Sequence, residues 1–150
     1  MKIAIGNDHA AIQFKEEILT HLQNQTGIEA TDLGANSKDG QDYPDHALRI
    51  STEITSGKYD MGILLCGTGA GMSIAANKVK GIRAVVCSDP YTAKLSREHN
   101  DANILCIGAR VVGTELAKII VDAFLDAKFE GGRHQLRVDK IMAIENLLTP

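Results

Sequence analysis

Met61-Gly62-Ile63-Leu64-Leu65-Cys66 runs directly into Gly67-Thr68-Gly69-Ala70-Gly71, and this junction decides the fold. The first six residues form the most apolar strand candidate in the chain, as expected of a strand covered on both faces of a parallel sheet. The alternating glycines permit a tight turn and let main-chain N–H groups face a ligand oxygen. Met72–Val79 is then helix-prone.

The same alternation extends in both directions. Upstream, Lys2–Ile5 predicts a strand, and Phe14, Ile18, Leu19 and Leu22 predict a helix closing near Gly27. Ile28–Leu33 reads as a second, weaker strand and Gly34–Pro44 as a polar loop. Ala47, Ile50 and Ile54 mark one face of a helix that stops at Gly57. Downstream, Arg83–Cys87 predicts a fourth strand, followed by Ser88 or Asp89 as a helix cap with Pro90 in the first turn. Asn103–Ile107 predicts a fifth strand. Thr114 is expected to cap an amphipathic helix whose apolar face includes Leu116, Ile119, Ile120, Ala123 and Phe124. A last helix is expected over Gly132–Leu148, with Leu136, Met142 and Ile144 among its apolar residues.

Five strands each followed by a helix predict an α/β fold of one domain, residues 1–150. The expected architecture is a three-layer α/β/α sandwich on a doubly wound, five-stranded parallel sheet, Rossmann-like, with an extra C-terminal helix. Such sheets bind ligands outside the carboxyl ends of their strands. That points to Gly6–His9, Cys66–Gly71, Cys87–Pro90 and Gly108–Gly113.

Composition narrows the function. The 150 residues carry 16 Lys plus Arg against 19 Asp plus Glu, a net charge of −3, with 44% hydrophobic and 23% charged residues. This is globular composition, with no general attraction to nucleic acid or an anionic membrane. No apolar run approaches a membrane span, and the N-terminal stretch reaches Asp8 too soon for a secretory signal. Aromatic residues at 4% and no Trp argue against a stacking platform for single strands. Three cysteines in no framework spacing favour a reducing cytoplasm.

The glycine loop matches neither the dinucleotide fingerprint nor a Walker A loop; its alternative is a tight connection without a ligand. A thiol at Cys66, beside the amides of that loop, has its thiolate favoured and could act as nucleophile or general base. The alternative is a buried core cysteine, the preferred reading for Cys87 and Cys106. No ligand spacing supports a zinc site. His9 and His99 can titrate near neutral pH, although a histidine at a helix C-terminus is also common for dipole reasons. His21, His46 and His134 read as surface residues. Arg133 and Arg137 share a helix face and, with Arg110, could clamp a phosphate. Their alternative is a solvated basic face.

Several stretches together carry a resemblance: Gly6-Asn7-Asp8-His9, Asp42-Tyr43-Pro44, Cys66 through Lys78, Gly81-Ile82-Arg83-Ala84, Ser96 through Asp101, and Gly131-Gly132-Arg133-His134. In this order they resemble the sugar-phosphate isomerase family that includes type B ribose-5-phosphate isomerase and galactose-6-phosphate isomerase, the former most closely. The resemblance implies interconversion of ribose 5-phosphate and ribulose 5-phosphate through a cis-enediolate, a step of the pentose phosphate pathway, with no cofactor, neither metal nor nucleotide. It implies that Cys66 moves the proton between C1 and C2; some relatives use a Glu after the third glycine, where this chain has Met72. Thr68 and the amides of Gly67, Gly69, Gly71 and Ser73 would stabilise the enediolate, and His99 would open the furanose ring. Asp8 and Tyr43 would orient sugar hydroxyls, Asn100 would contact the sugar or enediolate, and His9, Arg110, Arg133 and Arg137 would hold the phosphate. The family implies a homodimer, or dimer of dimers, with sites shared between subunits. Six-carbon substrates such as allose or galactose 6-phosphate are the alternative within the family. Fold alone would also permit a non-catalytic nucleotide-binding regulatory module. Such a module has no need of Cys66, His99 and three arginines together.

Overall fold

A computed structural model describes residues 1–37 and 42–147. Five strands, β1 (Lys2–Asn7), β2 (Glu29–Asp32), β3 (Met61–Cys66), β4 (Ala84–Val86) and β5 (Ile104–Gly108), form one sheet in the order β2-β1-β3-β5-β4. Every neighbouring pair is parallel. The helices are α1 (Ile12–Gln23), α2 (Tyr43–Thr55), α3 (Ala70–Ala76), α4 (Pro90–Asn100), α5 (Thr114–Asp126) and α6 (Arg133–Leu147), with a 3-10 turn over His9–Ala11 before α1. The expected doubly wound sheet with an added C-terminal helix is therefore present.

Strand alternation distributes the core between two faces. Ile3, Ile5, Ile63, Leu65, Leu105 and Ile107 pack with residues of α1, α4 and α5. Ala4, Leu64, Cys66, Ile104 and Cys106 pack with residues of α2 and α3. Winding reverses between β1 and β3, so the loops after these strands diverge and leave a crevice at their carboxyl ends. Helix α6 lies against α4 and buries only His134 and Val138, leaving Leu136, Ile141, Ile144 and Leu147 exposed. No helix among the described residues is long and apolar enough to cross a membrane.

Several local expectations need correction. Tyr43 and Pro44 belong to α2 rather than to the preceding loop, because proline's fixed φ suits a first helical turn, where its missing N–H costs nothing. Residues 38–41 of that expected loop, and Leu148 of the last helix, lie outside the described residues. Gly113, not Thr114, caps α5, with no side-chain bond. The buried stripe of α5 is Ala117, Ile120, Val121, Phe124 and Leu125; Leu116 and Ile119 sit one step around the helix and are exposed. Helix α3 begins at Ala70, two residues early, because Gly69 at φ +80° turns the chain into it. His46 and His134 are buried, not superficial: both face packed neighbours rather than the solvent side of their helices.

Asp89 does cap α4, its Oδ1 accepting from the Thr92 amide at 2.7 Å, with Pro90 next. Cys87 and Cys106 are core residues as expected. Burial, aided by Asp89, pushes the Cys87 thiol up to about 11, and burial raises Cys106 still further. Lys15 is also buried. Its ammonium is held by Asp32 at 2.6 Å, with Ala35 O and Asn36 Oδ1 completing the set, which fixes the chain as it leaves β2.

Candidate active site

The tip of β3 is tied to its neighbours by main-chain bonds. Ala109 N–H donates to Cys66 O at 2.8 Å and Arg110 N–H to Gly67 O at 3.0 Å, so the segments following β3 and β5 leave the sheet together. Asp8 N–H donates to Leu65 O at 3.1 Å on the other side. The glycines of this loop are required by close approach. A Cβ on Gly69 would lie 2.8 Å from Val86 Cγ2, and one on Gly108 2.7 Å from the Thr68 carbonyl. A Cβ on Gly71 would lie 2.9 Å from the Tyr43 ring, which therefore rests on the first turn of α3.

On this scaffold Cys66 is 5% exposed, and its Sγ accepts from the Gly69 amide at 3.1 Å. Thr68 is exposed at the loop's crest. The Arg110 side chain lies along Gly67, with Nη1 3.4 Å from where a Cβ would stand. Asp8 is buried, and its Oδ1 accepts from Ala10 N–H at 2.8 Å. His9 is exposed and lines a cavity of about 630 Å3 with Gln13, Phe14, Ala109 and Thr114. Ser73 donates its hydroxyl to Ala84 O at 3.3 Å, and so supports β4 as well as offering its amide to the loop. Asp8, His9, Tyr43, Cys66, Thr68, the three loop glycines, Ser73 and Arg110 thus gather at the carboxyl edge of the sheet.

His99, Asn100, Arg133 and Arg137 do not join them within one chain. Helix α4 runs back from Asp89 for 11 residues, roughly 16 Å, and delivers His99 to the opposite end of the sheet. There Arg83, which precedes β4, donates Nε to Asn100 O at 3.1 Å and to Asp101 O at 2.9 Å. A groove of about 390 Å3 joins the two ends, lined by Ser73, Val86, Tyr91, Leu95 and Asn100.

At the far end the His99 and His134 rings stack face to face, with centroids 4.2 Å apart and planes inclined by 4°. Arg133 Nε lies 3.4 Å from His134 Nε2, and Glu130 Oε2 lies 3.4 Å from the same atom. Burial, then the charges of His99 and Arg133, hold the His134 imidazole below its ordinary value. His99, Glu130 and His134 offer three ligand atoms within 4.8 Å of one another. Parallel rings, however, aim their in-plane lone pairs along parallel planes that do not converge on one ion, and Arg133 and Arg137 add positive charge. The donor set fits a metal poorly.

Sequence reading missed His134 and Glu130, treating the former as a surface residue. The signal was present in Gly131-Gly132-Arg133-His134. Both glycines adopt positive φ, +65° and +54°, and this turn directs the first residues of α6 back onto the end of α4.

Sheet, glycine loop and strand-tip thiol describe an α/β protein with a candidate ligand site at the carboxyl edge of its sheet, and comparison with known proteins identifies its family. Residues 3–141 match the Ribose/Galactose Isomerase family model, and the chain belongs to that family of sugar-phosphate isomerases. It is 57% identical to ribose-5-phosphate isomerase B of Escherichia coli over 96% of each chain. It is 49% identical to D-erythrulose-4-phosphate isomerase of Pectobacterium atrosepticum, over 94% of this chain and 93% of that one. The structure of Clostridium thermocellum ribose-5-phosphate isomerase B superposes with a TM-score of 0.95 at 52% identity, covering 99% of this chain and all of the other.

Proposed function

We propose that this protein interconverts ribose 5-phosphate and ribulose 5-phosphate through a cis-enediolate. The observation that carries the reading is the Cys66 sulfur, held by the Gly69 amide at a strand tip beside a loop of main-chain donors. A thiolate there takes the C2 proton of the open-chain aldose, and the electron pair flows into a C1–C2 enediolate. Returning the proton to C1, while the O2 proton passes to O1, yields the ketose. Thr68 and the amides of Gly67 and Gly71 are the oxyanion donors in this scheme, while the Gly69 amide, turned to Cys66 Sγ, and the Ser73 amide, bonded to Gly69 O, hold the loop in shape. Met72 occupies the position of a possible carboxylate base and is fully buried, so Cys66 carries the proton alone. Asp8 and Tyr43 orient hydroxyls, His9, Arg110, Arg133 and Arg137 hold the phosphate, Asn100 contacts the sugar, and His99 opens the furanose ring. Turnover of ribose 5-phosphate in excess chelator, with kcat/KM compared against four- and six-carbon phosphates, tests this. No turnover on any of them refutes the isomerase reading; a preference for another chain length refutes the substrate.

His99, Asn100, Arg133 and Arg137 reach Cys66 only if a second copy supplies them, so the reading includes a two-fold dimer with composite sites. The exposed apolar side chains support it: Val86 and Tyr91, the latter 72% exposed, line the groove, Ile74 is 64% exposed on α3, and α6 presents Leu136, Ile144 and Leu147. Cys66→Ala and His99→Ala proteins are each expected to be nearly inactive. Mixed equally with subunit exchange, about half the dimers become heterodimers holding one intact site, and activity recovers to about a quarter. Verified exchange without recovery places both residues in one site of a single chain and refutes the composite arrangement. The protein is proposed to work in the cytoplasm, where its three buried free thiols stay reduced.

A further inference from the structure

We infer that His134 is the positioning residue for ring opening: its buried imidazole is the platform that fixes the plane of His99 and ties it to the phosphate clamp. The inference rests on the assignment of ring opening to His99 given above. His99 sits on the last turn of α4 with its side chain about one-third exposed, and the hydrogen bonds of the described residues do not anchor its ring. Glu130 Oε2, at 4.0 Å, is beyond hydrogen-bond reach. What restrains the ring is the parallel face of His134, 4.2 Å away.

His134 is itself held on several sides. It is 4% exposed, and its Nε2 is approached by Arg133 Nε and by Glu130 Oε2, both at 3.4 Å. The charged and titratable groups facing the pair are His99 on α4, Glu130 on the preceding connection, and Arg133 and Arg137 on α6. Burial and those cationic neighbours favour the neutral form of His134, so it presents an uncharged aromatic face. A neutral face can stack on His99 in either protonation state, whereas a second imidazolium would repel it. The Arg133 contact supplies the link. A guanidinium drawn to the substrate phosphate shares its position with His134, and through the stack with His99.

In the step concerned, His99 accepts the proton of the anomeric hydroxyl as the C1–O4 bond breaks. A proton then passes to O4, giving the open-chain aldehyde with no net proton gained or lost. Misorientation of a catalytic group by about an ångström can cost 10²-fold in rate.

The test separates ring opening from enolisation. Incorporation of solvent deuterium at C1 of ribulose 5-phosphate needs Cys66 but no ring chemistry. For His134→Ala, kcat on ribose 5-phosphate is expected to fall about 10- to 100-fold, while deuterium exchange at saturating ribulose 5-phosphate, where any loosening of Arg133 shows only in KM, stays within about twofold of wild type, the same sample serving as its own folding control. His134→Phe, which restores a flat ring without nitrogen atoms, is expected to recover most of the lost kcat. Equal loss of exchange and turnover overturns the proposal, as does unchanged turnover in His134→Ala or failure of His134→Phe to outperform it. If His99→Ala loses exchange and turnover equally, the ring-opening assignment itself falls and takes this proposal with it.

Discussion

Replacing Cys66 separates the chemistry of the sulfur from its structural role. The Gly69 amide is buried and donates to Sγ at 3.1 Å, and Gly69 is locked in the left-handed region at the turn into α3. Cys66→Ala removes that acceptor. A buried N–H left unpaired costs about 1–3 kcal/mol, while the lost sulfur also leaves a small void. Cys66→Ser keeps an acceptor in nearly the same place, and its stability is expected to lie close to wild type. Chemically the two variants are alike, because neither alanine nor a serine hydroxyl serves as a base near neutral pH. Loss of a general base commonly costs about 10²–10⁴ in rate. The assay is paired: urea denaturation for stability, and deuterium exchange at C1 of ribulose 5-phosphate for proton transfer. The expected pattern is exchange abolished in both variants, with stability lowered only in Cys66→Ala. Exchange retained in either variant would show that another group carries the proton, and equal stability of both would show that the Gly69–Cys66 contact contributes nothing to the loop.

Arg137 is exposed on α6, so Arg137→Ala is expected to leave the melting temperature unchanged while removing one charge-assisted bond to phosphate. A loss of about 1.5–3 kcal/mol raises KM roughly tenfold to a hundredfold, and an unchanged KM refutes the phosphate role. Gly69→Ala places a Cβ 2.8 Å from Val86 Cγ2 at φ +80°, so strain and overpacking of about 2–4 kcal/mol are expected in urea melts; wild-type stability refutes the crowding argument. Lys15→Met strands Asp32 at the end of β2. Breaking a buried pair costs about 3–5 kcal/mol, less here because Asp32 retains some solvent, and a variant as stable as wild type would show the lysine to be a passive occupant of its site.

The elements most legible in the sequence were those whose pattern is set locally. Met61–Cys66 appears as a strand at the bounds its apolar run suggested, and Asp89-Pro90 opens α4 as its capping chemistry requires. Bounds failed where distant residues decide them. Tyr43 joins α2 and packs on Gly71, a contact between segments far apart in sequence. The burial of Ala117 and Val121 in place of Leu116 and Ile119 follows from how α5 is rotated on the sheet, which periodicity alone leaves open by one position. Around the candidate site, the position of Cys66 and its glycine loop at a strand tip was legible because a buried apolar run leads straight into them. The burial of His134 against His99 was not, since it depends on a positive-φ glycine pair turning α6 onto α4.

The separation of the two residue groups follows from the polarity of the sheet. Parallel strands all point their carboxyl ends one way, and each following helix returns the chain to the other end. A residue near the C-terminus of a crossover helix therefore lies away from the strand tips. His99 is such a residue, and Cys66 ends a strand. No adjustment of side chains closes a gap of helix length, so the proton transfer proposed for Cys66 and the ring opening proposed for His99 would meet on one substrate only if a second copy turned its α4 end toward this copy's β3 tip. A two-fold axis does this reciprocally: when residue 99 of one copy meets residue 66 of the other, the converse contact forms as well. In that proposed arrangement one interface would complete both sites, and the apolar groove lies between the two ends it would join. Assembly would then be a condition of catalysis rather than an accessory to it.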